Sequence, residues 1–311
     1  MLAPTPPLSG APLTRRDLMD LGLSEIGIAL ALRDGLLVQP LRGVYAAPSA
    51  LEDPMVRAAA LAMVLPPGAA VARQTAAWLF GVDCRPPGGQ HEPVPLCCVV
   101  PAGTATPPRR PGVRAFAAPL PPGDVVQHLG VPVTSPERTV LDLARYLPAY
   151  LGLATADAFA HRRLVDLDQL RARVEQFQGG RWIDRARRVL ALADARAESF
   201  GESWLRLRII EAGFPCPEPQ VWIVDADGVG VYRLDLGWEE LRIAVEYDGE
   251  EYHSGDDDRQ HDEQRREDLA KRFDWEVLGV GKGEVLGRSL RLERAVGELL
   301  SLEPQSFRRA W

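Results

Sequence analysis

The segment RLDLGWEELRIAVEYDGEEYH, Arg233 to His253, places Asp235, Glu246 and Asp248 on two strand-like stretches rich in Leu, Ile, Val, Tyr and Trp. In the first stretch Tyr232, Leu234, Leu236 and Trp238 alternate onto one face, and Arg233, Asp235 and Gly237 take the other. In the second, Leu241, Ile243, Val245 and Tyr247 share a face, opposite Arg242, Ala244, Glu246 and Asp248. A turn centred near Glu239–Glu240 would set 235 opposite 244 and 246 opposite 233. Asp235 and Glu246 would then be diagonal neighbours, roughly 7–8 Å apart at the backbone. Acids gathered on one face repel one another unless a cation or an arginine sits between them. Mg2+ (or Mn2+) is a hard ion that prefers a few carboxylates plus water. The spacing therefore predicts a metal site at Asp235 and Glu246, with Asp248 or Glu202 adding a ligand or positioning a water. His253, four residues past Gly249, can serve as a general base or steady a phosphate when protonated. The plainer alternative is that Asp235 pairs with Arg233 or Arg242 on a wet sheet face.

The elements that must hold these residues are legible nearby. GESWLRLRIIEAGF reads as a helix with Leu205, Ile209 and Ala212 on one face and Glu202 close to that face. An acid there also suits the first helical turn, where the macrodipole favours negative charge. VWIVD, a turn at Gly228 and VYRLDLGW read as a strand pair. SGDDDRQHDEQRREDLAKRFD reads as a loop and a solvated helix, from which Arg265, Arg266 and Lys271 can face phosphates. WEVLGV is a last strand. GRSLRLERAVGELLSL is a last helix, with Leu290, Ala295, Leu299 and Leu300 near its apolar side.

Towards the N-terminus, Thr14 can cap a short helix carrying Leu18. Ser24 can cap a second helix with Ile26, Ala29 and Leu30 on one side and Gly35 as its stop. LLVQPLRGVYA follows as two short strands, giving the order of a winged helix-turn-helix. Arg15, Arg16, Arg33 and Arg42 can touch phosphates of DNA. The second helix carries few of the Arg, Lys, Asn or Gln side chains that read base edges, so a protein-contact module competes with a DNA reader. Residues 54–81 read as two helices broken at Pro66-Pro67, and LCCVVPA and GVRAFAAPL as strands. Ser135, Pro136 and Glu137 open a helical stretch that runs to about Ala197. Its arginines, from Arg162 to Arg188, form a solvated face or a phosphate-tracking strip.

The whole chain, 311 residues with 46% apolar and 25% charged side chains, is long enough for two or three soluble domains. A net charge of −7 argues against a global electrostatic grip on DNA but leaves room for a local basic patch. Cys84, Cys97, Cys98 and Cys216 show no zinc spacing and no disulfide framework, as expected of a reducing cytoplasm. The Pro-rich start lacks the pattern of a signal peptide, and no apolar run approaches a membrane span. The expected layout is a tail over 1–12, a winged-helix unit over 13–50 and a mostly helical α/β region over 51–195. A mixed sheet flanked by helices follows over 196–302, and a tail over 303–311. The fold class is multidomain α/β.

In their order and spacing, GESWLRLRI, RLDLGW, VEYDGEEYH and RREDLAKRFDWEVL resemble the PD-(D/E)XK nuclease superfamily, and within it the very-short-patch-repair-like endonuclease domains. The resemblance covers about residues 195–285. It implies a restriction-endonuclease-like fold and Mg2+-dependent cutting of DNA, with Asp235 as central ligand and Glu246 as second. It also implies Glu202 as the helix acid and His253 as the loop histidine near the scissile phosphate. Asp248 stands where the superfamily has a catalytic lysine. LGLSEIGIALALRDGLLVQPLRGVYA and VTSPERTVLDLAR resemble AbiEi-type antitoxins, which implies contact with promoter DNA or a toxin–antitoxin partner. Two functions follow: a metal-dependent endonuclease, or an antitoxin-like regulator that keeps the nuclease fold as a binding platform.

Overall fold

The computed structural model describes residues 10–87, 96–103, 106–107, 109, 111–177, 179–248, 265 and 267–305. The chain divides into two units, Met1–Leu143 and Ala144–Trp311, and is mixed α/β with three sheets among the described residues.

The first unit begins with β1 (Leu13–Thr14), α1 (Arg15–Asp20) and α2 (Glu25–Arg33). Thr14 closes a reciprocal cap: its Oγ1 accepts the Asp17 N–H, and Asp17 Oδ2 accepts the Thr14 N–H at 2.7 Å. Ser24 caps α2, and Gly35, at φ +70°, follows its end as expected. The buried side of α2 differs from the expectation. Ile28 and Ala31 face the core with Leu18, Leu37 and Tyr45, whereas Ile26 is 73% exposed. At 100° per residue Ile26 lies about 200° round the helix from Ile28, so one arc cannot bury both. β2 (Val38–Leu41) and β3 (Val44–Ala46) form the expected strand pair, and β1 extends it to the order β1-β3-β2.

Beyond it, α3 (Pro54–Ala62) and α4 (Arg73–Leu79) are the two helices expected on either side of Pro66-Pro67, and a short buried strand, β4 (Ala70–Val71), which was not expected, lies between them. β5 (Leu96–Pro101), β6 (Val113–Ala118), β7 (Val125–His128) and β8 (Val131–Thr134) complete a five-stranded sheet of order β6-β5-β4-β8-β7. The β7–β8 hairpin escaped the sequence reading. Its turn residues, Leu129 and Gly130, both have positive φ, as a type I′ turn requires, but Leu-Gly is not among the usual turn pairs. α5 (Pro136–Tyr146) starts where Ser135 and Pro136 predicted. Its buried Arg138 bonds Asp124 at 2.5 Å and Asp142 at 2.9 Å.

The second unit holds α6 (Ala149–His161), α7 (Leu167–Glu175), α8 (Ile183–Leu192) and α9 (Phe200–Glu211). The sequence placed a boundary near 195, yet α6 and α9 pack together across it. Asp157 of α6 accepts Arg206 Nη2 at 2.6 Å and Ser203 Oγ at 2.7 Å from α9, all three buried. The Ala- and Leu-rich surface of α6 needs a helix to cover it, and α9 provides one.

After α9 come β9 (Glu218–Val224), β10 (Gly230–Trp238), β11 (Ile243–Asp248), α10 (267–273), β12 (Glu276–Gly281), α11 (Lys282–Leu286) and α12 (Arg291–Leu300). The sheet order is β12-β11-β10-β9, antiparallel except for the parallel β11–β12 pair. On α12, Leu292, Val296 and Leu300 are buried, while Leu290, expected inside, is 51% exposed at the helix cap. No helix among the described residues is long and apolar enough to cross a membrane. All four cysteines are free thiols, and only Cys216 is exposed.

Candidate functional site

The β10–β11 register brings the acids closer than the sequence suggested. Leu236 pairs with Val245, Gly237 with Ala244 and Trp238 with Ile243, which puts Asp235 opposite Glu246 rather than diagonal to it. The connection explains the shift. Glu239–Leu241 form a turn of 3-10 helix and Arg242 is left-handed at φ +54°, so the turn is centred one residue later than expected. The parity of the strands is unchanged, and Asp235, Glu246 and Asp248 still share a face.

Two further elements converge on this face. α9 contributes Glu202, 6% exposed, whose Oε2 accepts the Glu198 N–H at 3.0 Å and Gln220 Nε2 at 2.8 Å. Gln220 is itself left-handed, at φ +57°, in β9. Gly201 lets α9 lie against β11, since a Cβ there would collide with the Tyr247 ring. From the other side Arg265 grips Glu246 with both terminal nitrogens, at 2.8 and 2.6 Å, and donates to the Arg233 carbonyl at 3.2 Å. Asp235 accepts the Tyr247 N–H at 2.8 Å. Burial pushes the Asp235 carboxyl up to about 7. The Tyr247 N–H and Arg265 oppose that rise, and Glu202 and Glu246 reinforce it.

This donor set does not present a metal cage. Both oxygens of Glu246 are engaged by Arg265, Glu202 holds two donors, and burial favours a proton on Asp235. Among the described residues no three Asp, Glu, His or Cys side chains gather in a way that could hold an ion. Among the described residues one cation, Arg265, faces these acids through its pair with Glu246. Arg233 bonds Glu198 at 2.8 Å and Arg242 bonds Asp274 at 3.1 Å, so neither neutralises Asp235 as the plainer alternative supposed. His253 and Arg266 lie outside the described residues.

The candidate phosphate contacts are scattered and mostly paired. Arg15 meets Glu25, Arg16 lies 3.8 Å from Asp20, and Arg33 bonds Asp34 at 2.7 Å. Lys271 bonds Glu267 at 2.6 Å, and Arg265 belongs to the acid cluster. Arg42, exposed in the β2–β3 turn with its stem against Gly112, meets no acid among the described residues. Exposed pairs of this kind exchange readily for other partners. In the helical stretch Arg171 donates to the Leu190 and Ala193 carbonyls, and Arg187 to that of Phe177. These arginines cap helix ends, a role that spacing alone cannot reveal.

Residues 69–192 match the family described as AbiEi antitoxin C-terminal domain. That segment runs from the edge of β4 to the last residue of α8. Two Mycobacterium tuberculosis proteins, Uncharacterized protein Rv2248 of strain H37Rv and Uncharacterized protein MT2308 of strain CDC 1551, are each 30% identical over 269 residues. The match covers 86% of this chain and 94% of each relative. The chain therefore belongs to the same family as these two mycobacterial proteins and carries an AbiEi-antitoxin-type domain at residues 69–192.

Proposed function

We propose that this protein is an antitoxin-type regulator. Residues 13–50 act as a winged helix-turn-helix that meets DNA or a toxin partner, and the four-stranded C-terminal sheet serves as a binding platform. The observation that carries this reading is the antitoxin-domain match over residues 69–192. The Arg265–Glu246 pair supports it, because one carboxylate of the sheet, Glu246, is already paired from within the chain. On this reading exposed Arg42 in the β2–β3 turn would meet a phosphate, and the paired Arg15, Arg16 and Arg33 would exchange their acids for phosphates.

A second reading, a metal-dependent endonuclease, has one observation in its favour. Asp235 and Glu246 stand opposite each other beside Glu202, in the helix, strand and strand order expected of that fold. One experiment separates the two. The full chain is incubated with supercoiled plasmid and Mg2+ or Mn2+, and with a duplex from upstream of its own coding sequence. Retarded duplex and intact plasmid are the expected result. Metal-dependent nicking by the wild type, lost in both D235A and E246A, would replace the regulator with the nuclease.

A further inference from the structure

The second unit carries an aromatic and arginine cluster that the acid site does not use. Trp182 is 47% exposed and left-handed at φ +63°, immediately before α8. That conformation is costly for a residue with a Cβ, and here it accompanies an indole held at the surface instead of in the core. The Arg181 guanidinium lies 5.4 Å from the indole centroid and that of Arg185 lies 4.8 Å away. Tyr146, 37% exposed, has the Arg145 guanidinium 5.2 Å from its ring. Two bonds join the groups: Arg145 Nε donates to the Arg181 carbonyl at 3.0 Å, and Arg185 Nη1 to the Leu147 carbonyl at 3.2 Å.

The charge is one-sided. Asp184, the acid beside the cluster, is bonded by Arg187 at 2.8 Å. Arg181 and Arg185 meet no carboxylate among the described residues, and exposed Arg188 follows Arg185 on the same side of α8. An exposed indole flanked by cations offers a π-face for a base and charge for the phosphates beside it. A duplex hides its base faces, so the exposed ring favours unpaired nucleotides.

We propose that Arg145, Tyr146, Arg181, Trp182 and Arg185 form a binding surface for single-stranded nucleic acid, with Trp182 stacking on a base. The site lies apart in kind from the acid cluster and does not depend on whether that cluster is catalytic.

The test is fluorescence anisotropy of the full-length protein with a labelled oligothymidylate of about 15 nucleotides, titrated at several salt concentrations. W182A should weaken binding about tenfold or more, given what base stacking contributes, while W182F keeps a ring and stays within about threefold of wild type. R181A/R185A should lower the salt slope by about 1.4, at ~0.7 per cation on a single strand. Circular dichroism of each variant confirms that it is folded. Absence of oligonucleotide binding by the wild type would overturn the proposal. So would equal binding by W182A, or a duplex of the same length bound as tightly and with the same response to W182A. Capture of an acidic protein through the same residues, without oligonucleotide binding, would reassign the surface to a protein partner.

Discussion

Two arginine–carboxylate pairs in the second unit use the same chemistry to different ends. Arg208 on α9 and Glu293 on α12 are 0% and 1% exposed and bond through two contacts of 2.9 Å. The rest of the Arg208 guanidinium is spent on the carbonyls of Glu284, Val285, Gly287 and Ser289, around the end of α11. Arg265 and Glu246 also bond through two contacts, but at 31% and 10% exposure and with Asp235 and Glu202 close by. The first pair is matched and saturated with donors and acceptors, so it ties three elements together. The second is one cation facing several acids, with Asp235 driven towards its protonated form. An unbalanced group of this kind is what a binding or catalytic site presents, whereas a balanced one belongs to the frame.

Substitutions can break or sharpen this contrast. The largest effect is expected from R208A, which leaves Glu293 charged and alone in the core. It should cost about 3–5 kcal/mol, read as a lower midpoint in urea unfolding. A loss no greater than that at Arg265 would erase the distinction between the pairs.

The pH dependence comes next. Asp235 is raised from 3.8 to about 7 in the folded chain, so between those values the native state binds more protons than the unfolded one. Stability should therefore fall as pH rises from about 4 to 7, by at most ~4 kcal/mol, because one proton is worth about 1.4 kcal/mol across each pH unit of that window. D235N should remove that share of the slope, matching wild type near pH 4 and exceeding it at pH 8. If D235N were instead less stable than wild type at pH 8, Asp235 would be an ionised, satisfied partner like Glu293.

The smallest change is expected from R265Q. Glu246 can recover water at its partly open site, so the loss should be about 1 kcal/mol in the same denaturation experiment. A loss as large as that of R208A would make Arg265 part of the frame.

Much of this site could be read in one dimension. Alternation put Asp235, Glu246 and Asp248 on one face, because a strand fixes which side each residue takes whatever its partner. Helix periodicity put Glu202 near the buried face of α9, where it is 6% exposed. Thr14, Ser24, Ser135 and Gly35 marked helix ends, because capping depends on residues within one turn. Register was less legible. It depended on a 3-10 turn and a left-handed Arg242, neither of which has a composition signal of its own. The side of α2 that faces inward also went astray at Ile26, since an apolar residue at a plausible position says nothing about what covers it.

What the sequence determined by itself was the alternation of elements, their caps, and the set of acids that must share one face of a strand pair. These follow from local geometry with periods of 2 and 3.6. Only the tertiary structure decided that Arg265 pairs with Glu246, that Arg208 belongs with Glu293 across 85 residues, and that α6 packs on α9 across the apparent boundary. The physical reason is the same in each case. An arginine has similar local preferences whether it caps a helix, neutralises a buried acid or lies beside an exposed indole. Its role is set by the partners that the fold brings within hydrogen-bonding reach.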